Sequence, residues 1–329
     1  MFMTVLLSLI LPVFAGGGLI AICWLLPPLR KWNWLAGAAF GLALATAVFA
    51  SFTAENGLPT FPPGSRSQWL SIAAIVAGLF ALVAPLTGQA GHESKWPSVE
   101  ITALVVGLLF GGLPLLAYWM GDEDAGVMFS DSTIADQVAI GMAVALGIVM
   151  LDKVAANQTG MTMPLVLWLV FGGLAPLADA AGWITLTFLT ASASAVSFIA
   201  AIAGRFSGGP SIGRGGLVAA VILLAVFPVA GFRQTYGDFP WWCWGLVAAA
   251  PVVLVPLELP IFAKLPPWAG TTLRVVAVGV PVLIGVLVAT SGGGEDESGM
   301  GGFGDYGFLD TPGDDVVAGR AMTTQIGAL

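Results

Sequence analysis

The sequence predicts an all-α protein: a polytopic integral membrane helical bundle of about ten transmembrane helices over 1–290, then a disordered, acidic, Gly-rich C-terminal tail at 291–329. Three observations carry this. Of 329 residues, 57% are hydrophobic and only 9% charged, whereas a soluble globular chain carries about 25% charged residues to face water. The apolar residues fall in continuous runs long enough to cross a bilayer, without the period-two alternation of an outer-membrane barrel. The final segment breaks from both patterns. It holds eleven Gly, seven acidic residues and one basic residue, and buries too little apolar surface to offset its ordering entropy.

The runs, in order, are 3–26, 35–52, 69–87, 99–120, 134–151, 161–179, 182–203, 217–231, 241–263 and 270–290. The first superficially resembles a signal peptide, with Ala15 before Gly16-Gly17-Gly18. It lacks a positive n-region and stays apolar to Leu26, so it reads as an uncleaved helix. Between the sixth and seventh runs lie only Ala180 and Ala181, which demands either a tight hairpin or a revised count. The eighth is short unless Phe232 extends it. In the ninth, Pro251, Pro256 and Pro260 each remove a backbone donor and disfavour helix at the preceding residue, so a kink or break around Glu258 is expected.

Orientation follows from the basic residues. Arg30, Lys31, Lys95, Lys153, Arg205, Arg214, Lys264 and Arg274 fall on the side of the odd-numbered loops, which places that side in the cytoplasm and both termini outside. The setting that fits is a bacterial inner membrane, with the lipid bilayer as the first partner. Most of the twelve Trp, Trp24 and Trp244 among them, map to predicted span ends, as in an aromatic belt.

Absences narrow the chemistry. The net charge of −8 and the lack of any basic cluster beyond Arg30-Lys31 argue against nucleic acid. One imidazole, His92 in a loop, cannot build a haem or zincin site at membrane depth. Cys23 and Cys243 map to opposite membrane faces, too far apart for a disulfide. The Gly-rich stretch 204–216 lacks the Gly-Lys-Ser/Thr ending of a P-loop, and no Gly-x-Ser-x-Gly elbow is present. Asn157-Gln158-Thr159 fits a glycosylation sequon on the wrong side of the membrane. No cofactor, metal site or catalytic residue is therefore assigned.

Three features at membrane depth remain. Glu258 is an intramembrane carboxylate, a functional candidate by default. Spans nine and ten must form an antiparallel hairpin across Lys264-Leu-Pro-Pro-Trp268. Glu258 and Arg274 then sit at matching depth, where a structural ion pair is the leading account and an ion or proton role the alternative. Second, Gly111-Gly112 in span four and Gly172-Gly173 in span six each precede a Pro within an echoed motif. Such pairs either unwind to line a transport site or let helices pack closely. Third, Thr187, Thr190, Ser194 and Ser197 share one face of span seven, as a polar path or as interhelical glue.

These residues allow three readings: a secondary transporter for a small solute or ion, a non-catalytic membrane subunit or assembly scaffold, or a membrane enzyme with an acidic outer-face site at Asp122–Asp131. The substrate of the first is not encoded in any motif. The tail, with Gly-Gly-Phe-Gly-Asp-Tyr-Gly-Phe at 301–308, offers a docking segment for a protein partner. Transport carries a geometric requirement: Thr190, Gly111, Gly172 and Glu258 must line one void.

Overall fold

The computed structural model describes residues 6–26, 29, 32–60, 66–87, 100–109, 134–158, 160–207, 212–235 and 239–291. Gly111, Gly112, His92, the acidic loop 122–131 and the tail beyond Ser291 lie outside the described residues. Those described form helices and turns with no strand. In chain order they are α1 (Leu11–Leu25, preceded by a π-helical turn at Leu6–Ile10), α2 (Asn33–Asn56), α3 (Arg66–Val83) and α4 (Glu100–Leu109). Next come α5 (Ile134–Asn157), α6 (Thr162–Ala180), α7 (Ile184–Ser207), α8 (Gly213–Gln234), α9 (Trp242–Ala249) and α10 (Pro267–Ser291).

Seven of these (α1, α2, α5, α6, α7, α8 and α10) are long and apolar enough to cross a membrane. The three remaining runs of the sequence fall on shorter apolar helices. One lies within α3, one is α4, and the third continues from α9 to Glu258. The last is short because its prolines break it. After Ala249 the α-helix gives way to 3-10 turns at Ala250–Leu254, Pro256–Glu258 and Phe262–Lys264. By contrast, α6 runs unbroken through Gly172, Gly173 and Pro176. The residues joining α6 to α7 form a tight turn, with Gly182 at φ 75°, a conformation open to Gly because it has no Cβ.

The helices approach closely where small residues allow it. α2 packs against α1, α3, α7 and α8, and α6 against α7 and α10. A methyl group at Gly16 of α1 would come within 2.7 Å of the Ala43 carbonyl oxygen of α2. Within a bilayer, van der Waals fit and polar contacts hold helices together because lipid tails are as apolar as Leu, and small residues supply that fit. Two of the Trp assigned to the belt are core residues instead. Trp24 is fully buried and donates to the Ala36 carbonyl at 3.0 Å, while Trp244 donates to the Thr235 hydroxyl at 3.2 Å. A buried indole needs such a partner for its N–H. Cys23 and Cys243 are free thiols, both buried.

Candidate functional site

The broken segment after α9 carries Glu258 to a point where three elements meet. Pro256 opens the 3-10 turn that ends at Glu258, and Leu259 is extended ahead of Pro260. The carboxylate thereby leaves the α-helical register of α9 and faces the α5–α6 turn and α10. Its Oε1 accepts from Gln158 Nε2 at 2.7 Å and from Arg274 Nη2 at 3.3 Å, and its Oε2 accepts from Asn157 Nδ2 at 3.0 Å. The Arg274 and Glu258 side chains are 16% and 17% exposed. Nearby, the hydroxyls of Thr162 and Thr271 lie 3.4 Å apart, linking the start of α6 to α10. The Asn-Gln pair of the sequon thus supplies amide donors to a carboxylate. The turn itself passes through Gly160 at φ 74°.

The span-seven hydroxyls have a different environment. Thr187, Thr190 and Ser197 donate to carbonyls of their own helix, at Trp183, Leu186 and Ala193 respectively. Ser194 alone reaches across, donating to the Trp168 carbonyl of α6 at 3.0 Å. A methyl group at Gly172 would lie 3.1 Å from the Ser194 hydroxyl, whereas one at Gly173 would run into Val282 of α10. The two consecutive glycines therefore admit α7 on one side of α6 and α10 on the other. On α6, Leu167, Val170, Phe171 and Leu174 are almost completely buried. The structure brings Glu258 to Arg274, while the Thr190 hydroxyl donates to the Leu186 and Thr187 carbonyls of its own helix. Two clefts are both lined by apolar side chains. One, of about 630 Å³, lies between α6 and α10, and the other, of about 390 Å³, lies among α5, α8 and the segment around Pro251.

A second ion pair was not legible beforehand. Arg214, in the first turn of α8, donates from Nε to Asp152 Oδ1 at 3.1 Å and from Nη2 to Oδ2 at 3.2 Å. Both side chains are 5% exposed. In the sequence Asp152 falls just past the apolar run that defines span five, and Arg214 reads as a topology marker. The available signal was that opposite charges within a turn of a span end need partners. Among the described residues, no three His, Cys, Asp or Glu side chains gather as a metal-holding group. No protein-family model, curated protein or solved structure matches the chain.

Proposed function

We propose that this chain is a non-catalytic subunit or assembly scaffold of a bacterial inner membrane, with about ten spans and both termini outside. The observation that carries the reading is that the polar groups at depth, the hydroxyls of α7 and the Glu258 carboxylate, find hydrogen-bond partners inside the protein. Those hydroxyls donate to backbone carbonyls, and Glu258 accepts from three side chains. The contacts that cross between elements, Ser194 to the Trp168 carbonyl and the side chains around Glu258, act as interhelical glue, each contributing about 0.6 kcal/mol on average. The role left for the apolar exterior is contact with lipid and with other membrane proteins.

The test is positional. With Cys23 and Cys243 replaced by Ser, a Cys at Thr190 or Ser194 should resist a small cationic thiol reagent in native membranes, while one at Ser298 is modified from outside. Purified from its own membranes in mild detergent, the chain should carry a partner at fixed stoichiometry. A lone monodisperse chain with a reactive Cys at position 190 would overturn the reading. Transport stays as the second reading on one observation: the backbone beside Glu258 is broken into 3-10 turns, and discontinuous helices expose carbonyls to coupling ions in transporters.

A further inference from the structure

The opposite end of the bundle, where α2 stops and α7 starts, holds an oxygen cluster that neither reading uses. The chain enters α1 through the π-helical turn at Leu6–Ile10, a distortion that frequently marks functional positions. At its centre the Ser8 carbonyl oxygen accepts from Ser51 Oγ of α2 at 2.7 Å and from Ser192 Oγ of α7 at 3.4 Å. All three serines are fully buried. The Ser8 hydroxyl has no hydrogen-bond partner among the described residues. One turn beyond Ser51 on the same face of α2 stands Glu55. Its Oε1 accepts from Thr185 Oγ1 of α7 at 3.0 Å, and its Oε2 is buried with no donor among the described residues.

The donor count is the argument. The hydroxyl protons of Ser51, Ser192 and Thr185 are already committed, to Ser8 O and to Glu55 Oε1. Lone pairs remain on Ser8 Oγ and on a buried carboxylate oxygen, where an unsatisfied charged group is costly. Glu258 shows the contrast: each of its oxygens has a donor, and an arginine balances its charge. Among the described residues, the Glu55 charge has no such match. A set built only of hydroxyl, carbonyl and carboxylate oxygens suits a hard cation, and a single carboxylate matches a single positive charge. Calcium and magnesium sites instead recruit several carboxylates or waters. Ser51 and Glu55 are separated by about 6 Å along α2. We infer that the π turn of the first helix, Ser51 and Glu55 of α2, and Ser192 of α7 form a binding site for a monovalent alkali cation.

The experiment is thermal unfolding of the purified full chain, with NaCl or KCl titrated against choline chloride at constant ionic strength. A saturable rise of several degrees in Tm is expected with one alkali ion over choline. Glu55→Gln should abolish that rise. In choline its Tm should equal or exceed that of the natural chain, because neutralising an unpartnered carboxylate relieves its cost. Ser192→Ala should weaken the response, moving the half-saturating concentration upward by tenfold or more. Equal Tm in all three salts overturns the site, as does an equal rise in all three over low salt. So does a full alkali response retained by Glu55→Gln.

Discussion

The two ion pairs among the described residues join charges of the same kinds by opposite means. Asp152 and Arg214 sit on regular helices, α5 and α8, and meet through two hydrogen bonds with both side chains 5% exposed. Glu258 sits on broken backbone and meets Arg274 through one contact of 3.3 Å, with both side chains about three times more exposed. Two rigid helices can hold a bidentate geometry. Broken backbone fixes its side chain less firmly, and there Asn157 and Gln158 supply the donors that the single arginine contact does not. A charge at membrane depth needs its hydrogen bonds completed, and the local backbone decides where they come from.

The largest expected effect breaks the buried pair. Asp152→Asn removes the carboxylate charge that faces Arg214, and removing one partner of a buried pair costs about 3–5 kcal/mol. In detergent unfolding this should appear as a large fall in midpoint. Asp152→Asn combined with Arg214→Gln should regain part of the loss, since contacting residues couple non-additively. A double variant as unstable as the summed singles would mean that the two charges do not interact.

Glu258→Gln should cost less, about 1.5–3 kcal/mol, the range for hydrogen bonds to charged groups. The glutamine carbonyl can still accept from Gln158 or Arg274, and the partial exposure lets water approach. Adding Arg274→Gln should again restore part of the stability. A loss equal to that of Asp152→Asn would show that the two amides contribute little and that the site behaves as a second buried pair.

The contrast between the pairs also explains what the sequence could disclose. A five-residue hairpin turn leaves Glu258 and Arg274 no other arrangement than facing each other, and three prolines within ten residues announce the broken backbone. Asp152 and Arg214 are separated by two whole spans, α6 and α7, so their meeting depends on which helices become neighbours. That choice is set by small-residue fit, such as Gly41 of α2 against Ala81 and Ala219, and helices apolar on every side carry little periodic signal to reveal it. The same gap hid the role of α6. Its Gly172 and Gly173 were readable as places of close approach or unwinding, but only the positions of α7 and α10 show that each glycine serves a different neighbour. Trp24 and Trp244 illustrate the converse: a tryptophan near a span end reads as an interface anchor until a carbonyl or hydroxyl partner inside the bundle is seen.

The smallest expected effect is the most selective between the two geometries: replacing each arginine by lysine, which keeps the charge. At Arg214 two donors in a fixed planar fork meet both carboxylate oxygens, a geometry an ammonium group cannot reproduce. Arg214→Lys should lose one charged hydrogen bond, about 1.5 kcal/mol. Arg274 uses a single donor toward Glu258, and its Nε is buried with no partner. Lysine would keep one donor there and remove that unsatisfied nitrogen. Arg274→Lys should therefore stay within about 0.5 kcal/mol of the natural chain, as substitutions that disturb no key feature do. Equal losses from the two lysine variants would place both pairs in one class and remove the distinction between rigid and broken backbone. A gap of about 1 kcal/mol in the expected direction, at the low end for one hydrogen bond to a charged group, would support it, because charge is common to both variants and only the donor geometry differs.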